Sequence, residues 1–235
     1  VAFMKSTRTT VVITKPKKGV ITFEAEGNEG GRYHSRVLHV PSGISGLTIG
    51  RGYDMKNRSS AEIKTDLIAA GIDATKAANV SGGAKLSGNS AKQFIIDKDL
   101  LDFEVSAESQ LKLFNYVYKE YEKTVKRICN KDKVEEKYGK TEWDDLEPSI
   151  IDILVDLAFR GDYHGNSRKI IQESVADNNF SNFKKIITNK EKWPLWPKDR
   201  MERRKEFLDQ AAADKRNQGE LNLEKSATEG AKVSI

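Results

Sequence analysis

Cysteine occurs once in the 235 residues, at Cys129, and a lone thiol cannot form an intramolecular disulfide. That scarcity fits a reducing compartment, and it equally fits the disulfide-free enzymes of exported bacterial or phage-like type. Histidine is almost as rare: His34, His39 and His164 lack metal-ligand spacing, and neither an HExxH pattern nor a Cys cluster is present. The expected metal content is therefore none. Long apolar runs are missing too, and nothing approaches the roughly 20 residues that cross a bilayer. No membrane span is expected. Internal repeats and low-complexity tracts are also lacking. The chain starts at Val1, which is consistent with a removed presequence, and nothing in it resembles an intact signal peptide.

With 37% hydrophobic and 32% charged residues, the composition is that of a soluble globular protein long enough to bury one sizeable core. The formal net charge of +5 is concentrated at one end: Lys5, Arg8, Lys15, Lys17 and Lys18 stand in the first 20 residues without an acid. The remaining 35 basic and 35 acidic side chains cancel. A neutral body argues against nucleic acid as the partner, since phosphate binding needs a clustered basic face. The basic arm could draw the protein toward anionic wall polymers or headgroups, or be a solvated terminus.

Along the chain, β signals come first and helical signals follow. Thr9 to Thr14 is a strand candidate ended by Lys15-Pro16. Residues 21 to 55 read as a short helix or turn followed by hairpin material, with Arg36 to Val40 and Leu47 to Ile49 as strands. Ser59-Ser60-Ala61-Glu62 is a capping-box signature, Ile63, Leu67 and Ile68 supply an apolar stripe, and Gly71 is a stop. After a Ser/Gly-rich loop, Phe94 and Ile95 sit on a short helix. The longest helix is predicted from about Ser106 to Cys129, burying Leu111, Phe114, Val117, Tyr121, Val125 and Ile128. Pro148 opens a strongly apolar helix carrying Ile150, Ile151, Leu154 and Leu157. Later helices are predicted near Ser167, Ser181 and Asp199, with Trp193 to Pro197 as a rigid link. Beyond Ala213 the composition is that of a disordered polar tail. The predicted fold class is α+β, mostly α, divided into an arm (1–20), a catalytic domain (21–212) and the tail (213–235).

The most informative stretch is Gly46-Leu47-Thr48-Ile49-Gly50-Arg51-Gly52-Tyr53-Asp54, preceded by Phe23-Glu24-Ala25-Glu26-Gly27. It offers a carboxylic acid at a glycine-marked break, then a hydroxyl and a second carboxylate six residues apart. Hydrolysis of a glycosidic bond needs such parts: a protonated acid on the leaving oxygen, and an ionised carboxylate to activate water or stabilise the sugar cation. Glu24, Glu26 and Glu29 all lie near the right place. Glu26 is favoured because Ile21, Phe23 and Ala25 can seat it against a core, whereas Glu29 lies in a polar NEGGR run where an exposed carboxylate is expected. The glycines let backbone approach a sugar. Tyr53 offers a stacking face, and Arg51 a cation for wall carboxylates. Each residue taken singly has a plainer reading as a cap, strand, core or salt-bridge residue; their joint spacing carries the argument. The Lys-Ser/Thr of a phosphate loop is missing, so a nucleotide site is not indicated.

These residues resemble the phage-type lysozyme family, and most closely its pesticin-like branch, in which an EG dipeptide precedes a TIGxGxD-like element. The resemblance implies Glu26 as general acid, Thr48 as the water-positioning hydroxyl and Asp54 as second carboxylate, with Gly50, Gly52, Tyr53 and Arg51 along the substrate. IIDILVDLAFRG at 150–161 is similar to the family's central buried helix, and Arg203-Arg204-Lys205-Glu206-Phe207-Leu208 to its Arg-rich closing helix. Arg160 departs from the small or amide residue that the family tends to carry there. A two-lobe fold is implied, with a small β-hairpin region and a larger helical lobe. So is a monomeric, cofactor-free, bacteriolytic muramidase that is secreted or delivered to a bacterial cell wall, where it cuts the β-1,4 bond between N-acetylmuramic acid and N-acetylglucosamine in peptidoglycan. The alternatives are a catalytically silent glycan-binding module and a hydrolase of chitin or chitosan.

Overall fold

The fold is that of a computed structural model, which describes residues 15–232, with side chains to residue 226. The strand expected at Thr9 to Thr14, and most of the basic arm, lie outside the described residues. The chain divides into two compact units, Val1–Tyr118 and Lys119–Ile235.

The first unit holds the β structure. Helix α1 (Val20–Ala25) buries Ile21, Thr22 and Phe23. Gly19 precedes it with φ 71°, and a side chain there would meet the Tyr118 ring at 2.4 Å. Strands β1 (Thr48–Ile49) and β2 (Tyr53–Asp54) form an antiparallel pair in the register Thr48↔Asp54 and Ile49↔Tyr53. The turn between them needs Gly50 at φ 64° and Gly52 at φ 96°, a region other residues rarely adopt. The strand expected over Arg36 to Val40 is reduced to isolated bridges, His39 to Thr48 and Val37 to Glu104.

Helix α2 (Ser60–Ala69) begins with the expected capping box: the Ser59 side chain accepts from the Glu62 amide, and the Glu62 carboxylate accepts from the Ser59 amide. It packs on α3 (Ala74–Ser81), which the sequence pattern did not single out. Asp73 caps α3 by accepting from the Thr75 and Lys76 amides. Helix α4 (Gly88–Asp97) follows. The long α5 (Ala107–Cys129) matches the expected span, but its buried face is turned by about one position. Ser109, Gln110, Leu113, Phe114, Val117, Tyr118, Val125 and Cys129 are buried, whereas Leu111, Tyr121 and Ile128 are half-exposed.

The second unit is helical among the described residues. It comprises α6 (Asp132–Tyr138), α7 (Pro148–Phe159), α8 (Gly165–Ala176), α9 (Phe180–Ile187) and α10 (Lys198–Lys232). Helix α7 opens on Pro148 at its first position and buries Ile150, Ile153, Leu154, Val155 and Leu157. Asp156, on the same helix, is fully buried and pairs with Arg200 and Arg204 of α10, each at 2.8 Å. Trp193 and Trp196 stack with ring centroids 4.1 Å apart, and the Arg204 guanidinium lies 4.3 Å from the Trp196 ring centroid. As far as Lys232, the tail expected to be disordered continues α10 instead. Ala211, Ala212 and Ala213 are strong helix formers, and Gln210 to Asp214 and Gln218 to Asn222 add i,i+4 hydrogen bonds. The protein is thus α+β and mostly α, with a two-stranded hairpin in its first unit.

Candidate functional site

Glu26 caps the C-terminal end of α1, where its backbone N–H donates to Thr22 O at 2.9 Å. The glycine after it has a packing reason. A side chain at Gly27 would approach Arg51 Cγ and Ser35 Oγ at 2.7 Å each, so the Glu-Gly pair marks the place where the chain passes over Arg51. Glu26 lines a cleft of about 540 Å³ together with Asn28, Tyr33, His39, Thr48 and Gly52.

The neighbouring glutamates are engaged elsewhere. Glu24 is exposed and ion-paired with Lys15. Glu29, expected to be an exposed and unperturbed carboxylate, is instead gripped by Arg36 at 2.8 Å, Arg51 at 3.2 Å and the Gln110 amide at 2.7 Å. Burial alone raises the Glu29 pKa, but the hydrogen bonds from Arg36, Gln110 and Arg51 outweigh it and hold the carboxyl below its usual value. A carboxyl so held is an anchor rather than a proton donor.

Thr48 is 3% exposed, at the floor of the cleft. Its hydroxyl donates to Gly46 O at 3.1 Å, which leaves its oxygen lone pairs as acceptors. Across the strand pair, residues in register place their side chains on one face, so Thr48 and Asp54 are neighbours. The Asp54 carboxylate is oriented by two backbone amides, Gly46 at 3.1 Å and Lys56 at 2.7 Å. It does not itself line the cleft. Gly46 permits this arrangement, because a side chain there would stand 2.2 Å from Asp54 Oδ1 and 2.6 Å from Lys56 N.

Three expected substrate contacts, Arg51, Tyr53 and Gly50, do not line the cleft. Arg51 is 5% exposed and turned inward. Its guanidinium donates to Phe23 O at 2.5 Å and Gly27 O at 3.0 Å, and lies 4.1 Å from the Phe23 ring centroid. Tyr53 is fully buried, and its hydroxyl donates to Asp66 at 2.7 Å. Burial, then that carboxylate, pushes its phenol well above the usual range. Neither presents a face to a ligand. Gly50 is buried at the hairpin turn, where its amide donates to Ser35 O at 2.8 Å, and only Gly52 of the two glycines lines the cleft.

Tyr33, His34 and His39 line the same cleft, and the motif gave no signal for them. The Nδ1 atoms of the two histidines face backbone groups of opposite kind. His34 Nδ1 accepts from the Gly30 amide at 2.8 Å, so its proton is on Nε2, toward Glu104 at 2.8 Å. His39 Nδ1 stands 2.8 Å from Val37 O. A carbonyl oxygen only accepts, so Nδ1 is the donor and Nε2 of the neutral ring is an acceptor. His39 and Thr48 also exchange both backbone hydrogen bonds, at 2.9 and 2.8 Å. His39, Thr48 and Asp54 therefore form one row across three segments of chain. Among the described residues no group of three or more His, Cys, Asp or Glu is placed to hold a metal.

The chain belongs to a family described as Domain of unknown function (DUF8812), whose match covers residues 19–205. The match opens at the glycine that starts α1 and contains every residue of the cleft. A search of curated proteins finds no match.

Proposed function

We propose that the protein is a lysozyme-like muramidase that cleaves the β-1,4 bond between N-acetylmuramic acid and N-acetylglucosamine in bacterial peptidoglycan. One observation carries this reading: Glu26 and Thr48 share a saccharide-sized cleft, and Asp54 lies in register with Thr48. Glu26 donates its proton to the leaving glycosidic oxygen. A water donates one hydrogen to Thr48 Oγ1, which can only accept there, and the other to Asp54. Its lone pair is then free to attack the anomeric carbon. Asp54 takes the proton released. Attack by water on the face opposite the acid inverts the anomeric centre, and the reaction needs no cofactor. The site of action is a bacterial cell wall, and the acting form is a monomer.

The test is the release of new reducing ends from purified cell wall. Glu26→Gln keeps the size and polarity of the side chain but has no proton to give, so turnover falls about 10²- to 10⁴-fold, the usual contribution of a general acid. Circular dichroism stays that of the wild type. Full activity in Glu26→Gln would sink the acid assignment.

A second reading is favoured by the commitment of Asp54 to two backbone amides: a glycan-binding module with no turnover. It expects saturable binding of wall fragments and no new reducing ends at any pH. Digestion of matched chitin and peptidoglycan separates the muramidase from a chitin hydrolase.

A further inference from the structure

Tyr33 is 70% exposed, unlike the fully buried Tyr53, and it lines the same cleft as Glu26. It stands on a tightly closed loop. Ser35 N donates to Asn28 O at 2.9 Å, His34 N to Gly31 O at 3.2 Å, and Gly30 N to His34 Nδ1 at 2.8 Å. The Arg36–Glu29 and Arg36–Glu104 ion pairs, at 2.8 and 2.9 Å, tie the end of that loop down. An aromatic ring is therefore held at a cleft of mixed polar and apolar lining without the ordering cost of a mobile loop, with the Arg32 guanidinium 5.6 Å from the ring centroid over one face and the opposite face left for the proposed ligand. His39 lines the same cleft with its proton turned back on Val37 O, so the ring edge bearing Nε2 offers a lone pair. A flat apolar face beside a directed acceptor fits a pyranose ring, whose C–H face stacks and whose hydroxyl and acetamido N–H groups donate.

We propose that Tyr33 and His39 form a saccharide subsite for an N-acetylhexosamine ring, with Tyr33 under the ring and His39 Nε2 accepting from a hydroxyl or acetamido N–H. This rests on the glycan-cleaving reading of the cleft, but it concerns binding and has its own test. The neutral trimer of N-acetylglucosamine is titrated calorimetrically into the full chain, wild type and variants, while reducing-end release from cell wall is measured separately.

Tyr33→Ala raises the Kd for the trimer at least fivefold, and Tyr33→Phe, which keeps the ring, stays within twofold of wild type. His39→Ala raises it at least threefold, and His39→Gln, which restores an acceptor, recovers part of the loss. Thermal unfolding of Tyr33→Ala matches wild type, because the ring is already in solvent. Trimer binding that is undetectable, or equal in wild type and Tyr33→Ala, overturns the subsite. Wall cleavage with an unchanged KM in Tyr33→Ala also overturns it and leaves the hydrolase standing. Tyr33-dependent binding with no reducing ends from any wall upholds the subsite and removes the hydrolase.

Discussion

At Gly46 a single methyl group reaches the proposed chemistry. Its Cα lies against the Asp54 carboxylate so closely that a Cβ would overlap Oδ1 at 2.2 Å and the Lys56 backbone nitrogen, which donates to that oxygen, at 2.6 Å. Neither can yield without breaking the amide contacts that orient Asp54. Gly46→Ala is expected to lower stability by about 1–3 kcal/mol, the usual cost of overpacking, as read from the urea midpoint. It should also lower reducing-end release at least tenfold. An unchanged midpoint together with unchanged release would show that Asp54 needs no fixed seat. This restraint was not legible in the sequence, where Gly46 is one more turn residue. The proximity of Thr48 and Asp54 was legible because their spacing is local and the strand register makes them partners, whereas the place of Glu26 at the end of α1 is not set by that register. The burial of Arg51 and Tyr53 was not legible: alternation along a two-residue strand cannot tell whether Tyr53 meets solvent or Asp66, and Arg51, in the turn between the strands, has no pattern to show that it meets Phe23. That choice is made by α1 and α2, which lie outside the motif.

Between elements, the Asp156 carboxylate joins α7 to α10. Both of its oxygens are taken, by Arg200 Nη1 and Arg204 Nε, and all three side chains are buried or nearly so. Removing one partner from such a group strands the others in a dry interior and costs about 3–5 kcal/mol. Asp156→Ala should therefore shift the urea unfolding midpoint sharply downward, and a change within 0.5 kcal/mol, the usual scale of a surface substitution, would refute the pairing. The Arg-rich closing segment that contains Arg204 was visible in the sequence, but Asp156 and its pairing were not, because the pairing joins positions 44 and 48 residues apart. Helices with a strong apolar stripe or a start signal, such as α2, α5 and α7, were foreseeable to within a residue or two. Helices α3 and α6 were not, since each is short and buries few side chains, Ala77, Val80 and Ser81 in one and Val134 in the other. The face of α5 was misplaced because Ser109 and Gln110 are buried polar residues. Gln110 reaches Ser35 and Glu29, and hydrophobic periodicity does not register an amide.

Over the whole chain, several carboxyls sit below their usual pKa: Glu29, where hydrogen bonds outweigh burial; Glu104, held by His34; and Asp209, held at about 2 by Lys184 and Lys205. A carboxylate with a depressed folded pKa binds fewer protons folded than unfolded, so its stabilisation is complete above the unfolded value and drains away as pH falls through the folded one. The urea midpoint should hold steady from about pH 7 to about 5 and then decline toward about pH 2. A midpoint that rose on acidification would contradict these pairings. The broad class, α+β with helices dominant, followed from composition and period, whereas the helical continuation of α10 through a polar, low-aromatic stretch did not, because its contacts are exposed pairs, local ones together with Lys215 to Glu147, rather than burial. The cleft, finally, draws its whole lining from Ala25 to Gly52, a single short run of chain. Loops on such a run tolerate insertion and exchange far better than the scaffold beneath them, so the lining of this cleft can diverge from one member of the family to the next by rewriting one stretch of sequence, with helices α2 to α10 left as they are.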